Sequence, residues 1–257
     1  MITKEQVHIL SKKHKINESV ILREYLQLFF LNELYSEEKG QNIFFKGGTA
    51  LRLIYGSPRF SEDLDFTVEM EEKTFDKFIS NLFKKIEKKE TITFKPRKVI
   101  SGKTFLLKLE SALFANETYI NLDFSFREKI IEPKKSIIKT GYPILFTSYI
   151  YNLSKKEILA EKIRALLTRK KTKGRDIYDM WYLLNQEASI DNKLINEKLK
   201  YYNLKLNKND ILKKIKNFPE KDFILDLRPF VPINEREKLK NLFDYIKKYL
   251  QENLFIE

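Results

Sequence analysis

The sequence predicts an α+β protein with an appended helical region, and three observations point there. Residues 42–146 alternate short apolar runs of strand period with amphipathic helical stretches. Strand signals at 91–94, 104–109 and 119–126 are joined by short links, which favours antiparallel neighbours. From Ser154 onward the apolar spacing is helical. A first domain over 1–146 and a helical domain over 147–257 follow, with Gly141-Tyr142-Pro143 at the approach to the second.

The elements can be justified in order. Thr3 and Gln6 form a capping-box pair for a helix over 3–14, and Asn17 is the N-cap of a second helix over 17–36. Residues 42–45 read as a strand that Gly47-Gly48 breaks. Helical spacing resumes at Thr49 with Leu51, Leu53, Ile54 and Tyr55. On the next strand Asp63 and Asp65 lie two residues apart, so both point to one face while Leu64 and Phe66 point to the other. A helix over 74–88 presents Phe75, Phe78, Ile79, Leu82, Phe83 and Ile86. Residues 119–126 alternate cleanly, with Ile120, Leu122, Phe124 and Phe126 opposite Asn121, Asp123 and Ser125. Ser154 and Glu157 mark the start of a helix in which Lys162 sits inside the apolar stripe, between Leu159 and Leu166. Asp176 and Asp179 begin another, whose apolar face is Ile177, Trp181 and Leu184. Helices over 192–202, 210–217 and 234–252 complete the chain, while 222–231 has no decisive period.

Two of these features suggest chemistry. A strand, a diglycine turn and a helix start leave backbone N–H groups free for a polyphosphate, and glycine lets the ligand approach closely. The Thr49 hydroxyl can cap the helix or donate to a phosphate oxygen. Two carboxylates on one face repel unless a cation lies between them, and Mg²⁺ is bound by such oxygens together with substrate phosphates. Either feature alone has an ordinary reading, a turn or a solvated acidic edge. Together they predict a nucleoside triphosphate site at Gly47, Gly48 and Thr49, with Mg²⁺ (or Mn²⁺) on Asp63 and Asp65. Asp123 is the candidate third acid, since aspartate is disfavoured in strands, although a polar outer strand face explains it equally. Arg59 and Ser61, just before the acids, are candidate phosphate contacts. A lysine in an apolar stripe needs a partner or a route to water, so Lys162 either snorkels or meets a phosphate or carboxylate. Asp176 can pair with Lys162, or simply complement the helix dipole, as can Asp179.

The segments Lys46-Gly47-Gly48-Thr49-Ala50-Leu51 and Arg59-Phe60-Ser61-Glu62-Asp63-Leu64-Asp65-Phe66 resemble the AbiEii/AbiGii toxin family of nucleotidyltransferases. Leu159 to Leu166, Arg169, and Arg175-Asp176-Ile177-Tyr178-Asp179 extend that resemblance over roughly residues 20–185. The resemblance implies a DNA polymerase β-like nucleotidyltransferase fold, a mixed or antiparallel sheet flanked by helices, with a C-terminal helical domain. It implies the toxin of a toxin–antitoxin or phage-defence pair, a cognate antitoxin, and transfer of a nucleotide to an RNA acceptor such as a tRNA 3′ end. It maps nucleotide binding to Gly47, Gly48 and Thr49, metal binding to Asp63 and Asp65, and further functional positions to Lys162 and Asp176. Asp123 corresponds loosely to the superfamily's third acid. Other readings are an aminoglycoside-type nucleotidyltransferase or a nucleotide-binding regulator without turnover.

Composition narrows the setting. There are 49 basic and 36 acidic residues, a net charge of +13 that favours an RNA or DNA partner. The basic cluster at 169–175 lies between the Lys162 and Asp176 blocks. Cysteine is absent, which excludes disulfides and thiolate metal sites and fits a cytoplasmic protein. The N-terminus has no signal-peptide pattern, and the apolar run at 25–34 is too short to span a bilayer. The two histidines, His8 and His14, lie near the N-terminus and away from the acid pair, and no Ser/His/Asp set or zinc spacing appears, which argues against hydrolase and metalloprotease readings.

Overall fold

The structure, a computed structural model, describes residues 1–110 and 117–255. Helix α1 (Lys4–His14) begins with the expected capping box: Gln6 N donates to Thr3 Oγ1 at 3.2 Å, and Thr3 N donates to Gln6 Oε1 at 3.0 Å. Helix α2 (Glu18–Tyr35) is buried along most of its length. Its sequence therefore shows little amphipathic contrast, as a helix covered on several sides requires.

Seven strands follow among the described residues: β1 (Ile43–Lys46), β2 (Leu64–Val68), β3 (Ile92–Arg97), β4 (Lys103–Leu109), β5 (Thr118–Ser125), β6 (Pro133–Ser136) and β7 (Ile150–Leu153). They form one mixed sheet in the order β3-β4-β5-β2-β1-β7-β6. The β3-β4-β5 meander is antiparallel, as short links require. The β2/β5 and β1/β7 pairs are parallel. Helices α3 (Gly47–Leu53) and α4 (Glu72–Glu87) complete this unit.

Register explains the core. Phe45, Phe66 and Phe124 are successive partners across β1, β2 and β5, and their rings lie 5.6 and 4.9 Å apart. Phe75 of α4 packs on Phe124 at 4.9 Å, and Phe30 of α2 on Phe66 at 6.3 Å. Each buried phenylalanine contributes about 1.5–3 kcal/mol, so this face fixes the register of the central strands. Because side chains alternate, the neighbouring residues of β2 and β5 must face the other way. The β6 edge is blunted by Pro133, Lys134 and Lys135.

The chain divides into Met1–Gly56 with Phe60–Leu153, and Ser57–Arg59 with Ser154–Glu257. The sequence expectation ended the first part at residue 146. The observed division comes later because Ile150–Leu153 is a strand, β7, paired with β1. The second unit holds α5 (Lys155–Thr168), α6 (Gly174–Asn185), α7 (Asn192–Lys200), α8 (Lys208–Lys216), α9 (Glu220–Leu227) and α10 (Leu239–Asn253). Ser154 caps α5 by accepting from Glu157 N at 3.1 Å, while the Glu157 carboxylate takes the buried Lys198 ammonium at 2.5 Å. Gly174 opens α6 where a Cβ would lie 2.8 Å from Phe223 Cα, so only glycine permits this approach to α9. Residues 222–231, undecided by period, become most of α9 and a 3₁₀ turn that contains Pro229, with Pro232 just beyond. No described helix is long and apolar enough to cross a membrane.

Candidate active site

Strand register draws one polar row across the sheet of the first unit. Lys46 of β1 is the partner of Asp65 on β2, Asp65 of Asp123 on β5, Asp123 of Thr104 on β4, and Thr104 of Arg97 on β3. Cross-strand partners share a face, so these five side chains stand opposite the phenylalanine layer. Asp63, one residue before β2, adds a second carboxylate beside the row. Asn121 Nδ2 donates to Asp63 Oδ1 at 2.8 Å, and Arg97 Nη1 donates to Asn121 Oδ1 at 2.8 Å. Thr104 Oγ1 donates to Asp123 Oδ1 at 2.5 Å.

The diglycine corner meets this row. Gly47 has φ +80°, and a Cβ on it would lie 2.9 Å from Asp65 Cγ. Glycine is required here twice, for the left-handed backbone and for the closeness of the carboxylate. Thr49 is buried, and its hydroxyl neither caps α3 nor faces outward. It donates to the Asp63 carbonyl oxygen at 2.5 Å, tying the start of α3 to the start of β2. Gln27 Nε2 holds the preceding loop by donating to Ser61 O at 3.1 Å and Glu62 O at 2.9 Å.

Asp63, Asp65 and Asp123 are hard-oxygen groups of the kind that divalent cations take. Among the described residues, no group of three or more His, Asp or Glu is gathered closely enough to enclose a metal ion. Asp63 and Asp123 instead each accept a hydrogen bond from a neighbour. Burial raises the Asp123 carboxyl, and the Asp63 charge raises it further, while the Thr104 hydrogen bond and Arg97 pull it down less strongly. A carboxyl raised in the fold stabilises it most below the ordinary carboxylate range, and that stabilisation is lost as pH rises through the raised value. Asp123→Asn, neutral at every pH, is therefore expected to raise the thermal midpoint at pH 7 by roughly 2–4 °C. The two midpoints should converge in acid; a variant that melts lower at pH 7 contradicts this reading.

The second unit gathers the other candidates. Arg59, 2 % exposed, gives Nε and Nη2 to the two oxygens of Asp179, each at 2.6 Å. Lys162 Nζ lies 2.9 Å from Asp176 Oδ1 and 2.7 Å from Asp179 Oδ2, and Arg169 pairs with Asp176. Burial alone would raise both carboxyls, yet Lys162 and Arg169 hold Asp176 low, and Arg59 and Lys162 hold Asp179 low. Their charges raise Lys162 and Arg59 in turn against the same burial. Three cations thus share two carboxylates, and Arg169 is the member with an exposed side chain.

Several expectations change on this geometry. Arg59 is not a loop side chain free to take a phosphate, because it is sunk against Asp179. Of the two carboxylates in its first turns, α6 buries Asp179 completely, and Asp176 nearly so. Lys162 meets carboxylates rather than snorkelling. Asn121, Thr104 and Arg97 were missed as participants, since a polar residue on an alternating strand looks the same whether or not it touches an acid. Only register reveals them.

No curated protein sequence matches the chain. MenT4, a nucleotidyltransferase toxin of Mycobacterium tuberculosis, has a similar fold, with a TM-score of 0.66 at 18 % identity over 96 % of this chain and 90 % of that one. JHP933 of Helicobacter pylori is similar at a TM-score of 0.55 and 19 % identity, over 93 % and 94 % of the two chains. The model of the nucleotidyl transferase AbiEii toxin family, of type IV toxin–antitoxin systems, matches residues 30–249. The chain belongs to this AbiEii family of nucleotidyltransferase toxins.

Proposed function

We propose that this nucleotidyltransferase moves a nucleoside monophosphate from a nucleoside triphosphate to the 3′ hydroxyl of an RNA, with a tRNA end as the leading acceptor. The acceptor oxygen bonds to the α-phosphorus, the bond to the bridging oxygen breaks, and pyrophosphate leaves with that electron pair. The observation that supports it best is the pairing of Asp65 with Asp123 on adjacent parallel strands, with Gly47 packed against Asp65.

Asp63, Asp65 and Asp123 would hold Mg²⁺ or Mn²⁺, which when bound offsets charge on the entering and departing oxygens. Asp123, raised by burial and by Asp63, is suited to take the proton of the acceptor hydroxyl. Thr104 and Asn121 fix where the carboxylates of Asp123 and Asp63 point. Backbone N–H groups of Gly48 and Thr49, with the Ser61 hydroxyl, receive the phosphates; the Thr49 side chain is already committed to Asp63. Within the helical unit, Lys162 and Arg169 carry positive charge that Asp176 and Asp179 only partly cancel, with Arg59 buried against Asp179, and a surplus of this kind is suited to oppose phosphate charge. Asp176 positions Lys162 and Arg169 rather than touching nucleotide. The +13 balance supports an RNA acceptor, and membership of a toxin family supports a cognate antitoxin.

The direct test is incubation with each labelled triphosphate, Mg²⁺ and total RNA, followed by denaturing electrophoresis. Label is expected in a small-RNA band with one or two of the triphosphates, to vanish with chelator, and to return with Mg²⁺ or Mn²⁺. Absence of label from every RNA, with every triphosphate, would overturn the acceptor.

A further inference from the structure

The helical unit forms a cavity of about 620 Å³ between the end of α5 and α8. Five lysines line it: Lys170 and Lys171 after α5, Lys205 before α8, and Lys213 and Lys214 on α8. Against them stand two carboxylates, Asp210 and Asp222. One of these is already engaged, since Lys171 Nζ lies 3.6 Å from Asp222 Oδ2. Lys214 is fixed as well, donating to Leu166 O at 2.7 Å, where it caps the end of α5. Lys170, Lys205 and Lys213 are exposed and make no ion pair among the described residues.

We infer that this cavity grips the phosphate backbone of the acceptor RNA, and the inference rests on the RNA reading above. Three features select that ligand. Like charges converge in a concave site, which costs repulsion unless a polyanion enters. All the cations are lysines, point charges with no fixed fork, so the cavity suits backbone phosphates and not the edges of bases. Thr172, Asn207 and Asn217 add neutral polar groups of the kind that bond phosphate and sugar oxygens. The cavity therefore sets where an RNA lies, without reading its sequence, and it belongs to a different unit from the carboxylate row.

The test compares the full chain with K170Q/K205Q/K213Q, which leaves the α5 cap and the Lys171–Asp222 pair in place. RNA binding is read by fluorescence anisotropy over a salt series, using an end-labelled RNA hairpin with a single-stranded 3′ end. The variant should bind at least tenfold more weakly at about 0.1 M salt, and its log–log salt slope should fall by about 2–3. Transfer to the hairpin should show a raised KM with kcat little changed. A variant with unaltered affinity and slope overturns the inference, as does a wild-type protein with no affinity for the hairpin. Wild-type binding that the variant loses, with no label transferred by either protein, supports the cavity and counts against the acceptor reading alone.

Discussion

Asp65→Asn is expected to reduce nucleotide transfer by roughly a thousandfold or more, the scale on which single electrostatic groups act in such sites. The substitution preserves shape, so the β2 register with β1 and β5 should survive, and with it the thermal midpoint. What is lost is one negative charge of the polar row, next to Gly47 and paired with Asp123. A divalent cation held by carboxylates is weakened whichever of them is neutralised, so the defect should appear in kcat and be relieved in part by raised Mg²⁺. Growth inhibition should fall in parallel if toxicity is catalytic. A variant that still arrests growth without transferring label points to sequestration of a partner, and sinks the enzymatic account of toxicity.

Asp179→Ala is expected to cost about 3–5 kcal/mol of stability, as when one partner of a buried ion pair is removed. Asp179 accepts two N–H groups of Arg59 and lies 2.7 Å from Lys162, and its side chain is wholly inaccessible. The alanine leaves a guanidinium and an ammonium in a space built for three charges to be shared. Urea unfolding followed by tryptophan fluorescence should register the loss, because Trp181 lies on the same helix. R59M/D179L, which removes both charges of the pair, should recover part of it. A change in the single variant smaller than about 1 kcal/mol would mean the pair is screened as a surface bridge is, contrary to its burial.

Most of the architecture was legible because it depends on local rules. The Thr3 cap, the α4 stripe and the β5 alternation each declare themselves within a few residues. So did the convergence of the diglycine turn with the acid pair, which the structure realises as Gly47 against Asp65. What escaped was non-local. The parallel pairing of β2 with β5 joins residues far apart in the chain, and with the β4/β5 pairing it sets Asp65, Asp123 and Thr104 in one polar row and brings Asn121 to Asp63. The β6 and β7 strands are four residues each, too short for a period to assert itself. Arg59 shows the limit most clearly. Nothing around Ser57-Pro58-Arg59 in the sequence announces that its charge is matched 120 positions later by Asp179.

That tripeptide has a consequence for dissecting the molecule. Ser57–Arg59 is grouped with the helices, although the chain on either side belongs to the sheet. A gene cut after Leu153 would therefore not release two self-sufficient modules. The amino-terminal piece would display a cationic anchor with its socket missing, and the carboxy-terminal piece would keep a hole lined by acid. Splitting this protein for expression or for reporter complementation should begin by grafting those three residues onto the helical half.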